Sequence, residues 1–540
     1  MISLFHSVKR FSLKPIAVSL VVLSNLALAE APNSLDLATF TEHATIPELH
    51  QKMQSGELTS EALVRFYLAR IEVIDDSGPT INSVVQLNAN AVAQAKAYDL
   101  SVKTEGLKGV LHGIPVLLKD NIDTTDGMAN TAGSIALAKN FPAQDAFLVS
   151  QLKRAGAIIL GKTNLSEWAN FRSDKSTSGW TSLYGQTKNP YDLTRNPCGS
   201  SSGSGAAIAA NLATVAIGTE TDGSITCPAA INGLVGIKPT IGTVSRHGII
   251  PIAFSQDTAG PMARNLTDAV ITLSALSAFD EQDPAPTKAN YQASNGRVVQ
   301  PTALSSALKT DGLKGKRIGV LRQLSGYHRD VDQLLAEAIE QLQQQGAIIV
   351  DDLAFDDGVS WGAQEYEVLL YEFKEGINKY LAGTDKSLPK TLAELIAYNE
   401  LHSDRAMPYF GQEIFISAQS KGDLTDKVYL DALAHAKKMS QSQGIDKLLG
   451  DHQLDLLIAP TTGPAWKTDL INGDNFSGSA TSPAAVSGYP HITLPMGYVS
   501  GLPVGLSMFS TQLTEPVLIE AAFAYEQVTK HRQPPKFLSN

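Results

Sequence analysis

"GTETDGSITCPAA", residues 218–230, sets two glycines, two acids, three threonines and one serine between the apolar runs "ATVA" and "INGLVGIK". Upstream the chain reads "GSSSGSGAAIAANLATVAIGTETDGS", residues 199–224. Within it "AAIAANLA" reads as a helix, and the apolar run after it leads into a glycine-rich polar stretch. Glycine lets the backbone turn tightly and approach another group closely. A loop such as "TETDGS" can turn several N–H groups inward, as a developing oxyanion requires. The same residues would equally make an ordinary Gly/Ser-rich turn between a strand and a helix.

If Ser224 is a nucleophile it needs a base. None of the 11 histidines falls in these segments, and the nearest downstream is His247. "GSSSG", residues 199–203, matches the nucleophile-elbow pattern with Ser201 at its centre. The segment before it, "TKNPYDLTRNPC", does not read as the strand that an elbow requires. Lys119 is a different kind of candidate. It ends the apolar strand "IPVLLKDN", where desolvation would lower a lysine's pKa and let the amine accept a proton. A strand-end lysine can also simply reach solvent.

Strand and helix patterns alternate outward from this centre. "TIPELHQKMQSG" carries a capping box, Thr45 with Glu48, and Gly56 as a stop. "TSEALVRFYLARIEVID" puts Leu63, Phe66, Tyr67 and Ile71 on one helical face. "DAFLVSQLKRAG" reads as a helix capped by Asp145 and leads into the strand "AIILGK". "RIGVLR", "DVDQLLAEAIEQLQQQG" and "AIIVDDL" repeat the strand–helix–strand order. "LDLLIAP", "HITLPMGY" and "PVGLSMFS" read as further strands. This order predicts an α/β layered fold with a largely parallel or mixed sheet. Residues 278–312 are polar and read as a loop, either a domain boundary or a surface excursion within one domain. The helical stretch 360–446 carries no chemical motif and reads as a lid or pocket wall.

The chain has 540 residues, 43% hydrophobic and 18% charged, with a formal charge of −11. That composition supports a large core and argues against a nucleic-acid footprint. Lys9, Arg10 and Lys14 precede the apolar run "PIAVSLVVLSNLALA", which ends in the small-x-small triplet Ala27-Leu28-Ala29. Residues 1–29 therefore read as a signal peptide and 30–540 as one domain, placing the protein in the periplasm or outside the cell. Losing those three cations takes −11 to −14. No other stretch approaches the ~18 apolar residues of a membrane span. Two cysteines, Cys198 and Cys227, rule out a cysteine-based zinc cage.

The run "NPCGSSSGSGAAIAANLATVAIGTETDGSITCPAAINGLVGIKPT" resembles the signature segment of the amidase signature family. "GIPVLLKDNID", "GKTNLSEWANF" and "SQDTAGPMARN" resemble its supporting blocks. The likeness is strong over about residues 45–270 and looser over the final 90, with a signature core at about 110–270, and it implies an α/β layered fold whose mixed central sheet is covered by helices on both faces. It implies a Ser–cis-Ser–Lys triad whose two serines lie 24 apart, which selects Ser200 and Ser224. Ser224 would then be the nucleophile. Ser200, after a cis peptide at Gly199, would relay its proton to Lys119. The backbone amides of Thr221, Asp222, Gly223 and Ser224 would form the oxyanion hole.

The implied chemistry is acyl transfer from a small or short-peptide amide, with no metal, organic cofactor, nucleic acid or membrane partner. "GTETDGSITCPAA" and "SEWANFR" are most similar to bacterial peptide amidases, which remove the C-terminal amide of peptides. A broad aliphatic or aryl amidase is the alternative, with an amidotransferase-like role behind it. Thr226 stands where many family members carry arginine, which disfavours a dicarboxylic amide. If Ser200 and Ser224 meet, Cys198 and Cys227 come close. Closeness alone is not bonding geometry, and two buried thiols are favoured over a bridge.

Overall fold

Hydrophobic segments four to nine residues long, punctuated by glycine and proline, give the main strands of the computed structural model, which describes residues 35–285 and 301–539. The strands are β1 (Val84–Leu87), β2 (Pro115–Lys119), β3 (Ile158–Thr163), β4 (Trp180–Thr181), β5 (Gly185–Gln186), β6 (Val215–Glu220), β7 (Val235–Lys238), β8 (Thr258–Ala263), β9 (Arg317–Leu321), β10 (Ile348–Leu353), β11 (Leu456–Pro460), β12 (His491–Val499) and β13 (Leu502–Phe509). Among the described residues, 11 of them form one mixed sheet in the order β1-β3-β2-β6-β8-β7-β12-β13-β11-β9-β10, and β4 and β5 pair separately. β3, β2 and β6 run parallel to one another, as do β11, β9 and β10. The strands between those groups pair antiparallel. Every residue of β2, β3, β6 and β8 is buried, as expected of strands covered on both faces.

The strands β2, β3 and β9–β13 fall at the predicted runs, while β1 and β4–β8 lie outside them. The N-terminal helix Ile46–Ser55 starts with the carboxylate of Glu48 accepting from the Thr45 amide at 2.7 Å, and stops at Gly56 with φ +80°. Leu63 and Tyr67 on the helix Ser60–Arg70 are buried, while Phe66 is half-buried. One local expectation fails. Asp145 does not cap the helix Phe147–Arg154, whose N-cap is Ala146. Its carboxylate instead accepts from the Thr125 amide at 2.7 Å and pairs with Lys153 at 2.9 Å.

Residues Leu37–Asn540 form one compact unit. The leader read over residues 1–29 lies outside the described residues, as does 286–300 of the polar excursion. Within 360–446 the chain forms mainly the helices Gly362–Ala382, Leu392–Leu401, Glu413–Gln419 and Lys427–Ser440. Phe373, Ile377 and Leu381 of the first of these share a core with Trp168, Phe171, Leu395 and Phe415. Each such side chain contributes about 1.5–3 kcal/mol by burial. That core anchors the long helix against the segment following β3, next to the sheet's polar centre. Among the described residues no helix is long and apolar enough to cross a membrane.

Candidate active site

Adjacent parallel strands β2 and β6 bring two sequence blocks together. Lys119 ends β2, and Thr219 and Glu220 end β6. The side chain of Lys119 is fully buried. Its Nζ lies 2.7 Å from Ser200 Oγ, 2.8 Å from Thr219 Oγ1 and 3.1 Å from the Thr219 carbonyl. Asn121 Nδ2 donates to the same Thr219 hydroxyl at 3.0 Å. Among the described residues no carboxylate touches the amine. Burial therefore dominates and pulls its pKa from 10.5 to about 7, against the weaker opposing pull of Glu220 and Asp257.

The glycine-rich run is explained by close approach. A Cβ on Gly199 would stand 2.1 Å from Ser166 Oγ, and one on Gly203 would stand 2.4 Å from the Ser83 carbonyl. The Gly199–Ser200 peptide is cis. Ser166 N donates to the Ser200 carbonyl at 3.0 Å, and Ser201 N donates to the Ser224 carbonyl at 3.1 Å. The structure thus brings Lys119, Ser200 and the Ser224 loop to one place. Ser201 does other work: its hydroxyl donates to the Thr219 carbonyl at 3.1 Å and accepts from the Thr219 amide at 3.2 Å. Both capacities of that hydroxyl are spent on β6, and among the described residues no strand leads directly into the serine run, so the elbow pattern lacks its context.

The loop Thr221–Ser224 joins β6 to the helix Thr226–Ile231, with Gly223 at φ +77°. Three carboxyl groups hold it. Glu220 accepts from the amides of Ile225 (2.8 Å) and Thr226 (2.9 Å). Asp257 accepts from the Thr221 hydroxyl at 2.6 Å and from the amides of Ile252 and Ala253, and burial raises its pKa to about 6. Asp222 accepts from the Thr481 hydroxyl at 2.5 Å. Among the described residues, the amides of Thr221, Asp222, Gly223 and Ser224 donate to no other protein group. Thr226, at the usual arginine position, donates its hydroxyl to Glu220 at 3.2 Å and presents no cation.

Cys198 and Cys227 are joined, with Cα atoms 6.1 Å apart. This corrects the expectation of two thiols. The contacts that set the serine loops side by side also bring the cysteines within bonding reach. The supporting residues Asn121, Thr219, Glu220 and Asp257 were not singled out by sequence. They stand inside "LLKDN", "GTETDGS" and "SQDTAG", where the signal was an acid or amide next to a strand end. A cavity of about 820 Å³ opens beside the site and is bordered by Ser200, Thr219, Thr221, Asn121 and Tyr380.

A mixed sheet that buries a lysine against a serine with no carboxylate in contact among the described residues, beside a loop of unclaimed amides, defines an α/β hydrolytic enzyme. The chain belongs to the Amidase family, whose model matches residues 62–519, and it is an amidase. It is similar to the native peptide amidase of Stenotrophomonas maltophilia, with TM-score 0.86 and 48% identity over 92% of this chain and 99% of that one. It is 40% identical to a probable amidase of Arabidopsis thaliana over 93% of both chains. It is also 34% identical to a putative amidase of Schizosaccharomyces pombe over 92% of this chain and 87% of that one.

Proposed function

We propose that this amidase hydrolyses the C-terminal carboxamide of peptides through an acyl-enzyme on Ser224, releasing ammonia. The observation that carries the mechanism is the 2.7 Å contact between Lys119 Nζ and Ser200 Oγ. A neutral amine has two N–H groups and one lone pair. The carbonyl of Thr219 can only accept, so one N–H belongs there, and the second suits the Thr219 hydroxyl. The lone pair is left for the Ser200 hydroxyl. Ser200 is then poised to take the Ser224 proton as Ser224 attacks, and to return it to the departing nitrogen. The amides of Thr221–Ser224 hold the oxyanion, and water entering by the same relay releases the acid.

The likeness to peptide amidase supports the substrate class. The groove for the peptide would be walled by residues 165–195 and the helices of 360–446, both of which border the site. Backbone hydrogen bonds would give little side-chain selectivity. Product analysis tests this: a tripeptide amide should give free ammonia with its internal bonds intact. Faster turnover of benzamide than of any peptide amide would overturn it in favour of a broad amidase.

The enzyme is further proposed to be exported. The leader-like first 29 residues support this, as does a disulfide, which persists in oxidising compartments. An N-terminus at Glu30 on protein recovered from the periplasm or medium is the expected result; an intact Met1 in the cytoplasm would refute it.

A further inference from the structure

Helix Gly362–Ala382 carries two buried carboxyl groups, Glu365 and Glu372. Glu372 is satisfied by the Tyr429 hydroxyl at 2.8 Å and the Ser255 amide at 2.9 Å, away from the loop. Glu365 is placed differently. Its carboxyl meets that of Asp222, and the Ser482 hydroxyl lies beside both. Gln256 Nε2 donates to Glu365 Oε1 at 3.0 Å and to the Thr221 carbonyl at 3.3 Å. Trp361, the residue before the helix, donates its indole N–H to Ser482 at 2.8 Å. The helix therefore grips both ends of the Thr221–Asp222 step, through a carboxyl pair on one side and an amide bridge on the other.

Two carboxyl groups in contact cannot both be ionised at low cost. One proton shared between them turns a repulsion into a charge-assisted hydrogen bond. We propose that Glu365 is a positioning residue for the oxyanion loop, donating as a neutral carboxylic acid to the carboxylate of Asp222 and so fixing the amides of Thr221–Ser224. The inference rests on the acyl-enzyme reading above and extends it to a residue far from the signature. Burial and the neighbouring Asp222 charge hold Glu365 well above the usual carboxylate range, which places the proton on it.

Other titratable groups face the pair. Glu220 lies on β6, Lys238 on β7 and Lys437 on the helix Lys427–Ser440. Glu220 disfavours a second negative charge on Asp222 and so strengthens the case for a shared proton. Lys238 and Lys437, both pulled down to about 8 by burial, lose positive charge in the same alkaline range and give no help to a doubly ionised pair.

The test is the alkaline limb of kcat for a peptide amide, followed from about pH 6 to 10. The wild type should lose activity on the alkaline side as the shared proton leaves. Glu365→Gln keeps an N–H for Asp222 and an oxygen for Gln256, so it should stay active and lose the limb. Asp222→Asn should lose the same limb independently. Glu365→Ala, at unchanged circular dichroism, should lower kcat roughly tenfold to a hundredfold with little change in KM. An alkaline limb in Glu365→Gln that superimposes on the wild type would assign it to Lys238 or Lys437 and overturn the proposal. A wild type with no alkaline limb would also overturn it while leaving the acyl-enzyme reading intact. A wild type inactive on every amide would remove that reading first.

Discussion

Two lysines end neighbouring strands of the same sheet, and both are fully buried, yet they are built for opposite ends. Lys119 on β2 pairs in register with Thr163, and Lys162 on β3 pairs with Leu118, so the two side chains leave opposite faces of the sheet. Lys162 meets a countercharge, Asp120, at 3.4 Å, and donates to Asn130 Oδ1 at 2.9 Å and to the Ile122 carbonyl. Lys119 meets only two hydroxyls and a carbonyl. Burial lowers both pKa values and nearby carboxylates oppose it in both, but at Lys162 one of them, Asp120, is in contact with the amine. Burial alone does not make a base. The chemistry of the partners decides whether the proton can leave.

The contrast is broken most directly by substitution. Ser224→Ala and Lys119→Met should each lower kcat by about 10⁴-fold or more, with the residual rate coming from the loop amides and binding. Lys162→Met should act through folding instead. It strands Asp120 in the interior and should cost about 3–5 kcal/mol, read as a fall in Tm. A folded, inactive Lys162→Met beside an active Lys119→Met would exchange the two roles.

The pH profile sharpens the same comparison. The proposed base must be neutral, so kcat/KM should rise with pH through about 7, and a profile flat from pH 5 to 9 would count against Lys119. The sign for stability follows. The folded pKa of about 7 lies below the unfolded 10.5, so the unfolded chain binds more protons between them and stability climbs over that window. Lys119→Met should therefore melt above the wild type, with the largest advantage below pH 7 and a shrinking one toward pH 10. A Tm difference independent of pH would contradict the depressed pKa.

Smaller effects concern the scaffold around the pair. The Cys198–Cys227 bridge closes a loop across 29 residues, and its reduction should cost about 3 kcal/mol. Thiol titration of the unfolded, unreduced protein should find no free thiol, and two would exclude the bridge. Ser201→Ala should be mildest, about 1 kcal/mol for the two hydrogen bonds to Thr219, with activity retained. An inactive, folded Ser201→Ala would revive the elbow pattern.

Much of the sheet was legible because buried strands announce themselves as short apolar runs between turn residues. "IPVLLK", "AIILGK" and "LDLLIAP" need no partner information to be recognised. Helix caps were less secure. Asp145 has the right chemistry and the wrong neighbours, since Lys153 and the Thr125 amide compete for its carboxylate. The serine run could not be ranked residue by residue from composition. Resemblance selected Ser200, and contacts separate it from Ser201, whose hydroxyl is spent on β6.

The sequence by itself determined the alternation of strands and helices, the absence of histidine from the Gly/Ser segments and the lysine at the end of an apolar strand. All three are properties of local order, fixed once the residues are written. Only the tertiary structure decided which buried lysine lacks a countercharge, that two cysteines 29 residues apart are bonded, and that Glu365, 141 residues beyond Ser224, reaches the loop beside it. Desolvation and pairing depend on what other segments bring within a few ångströms, and no single stretch of chain carries that information.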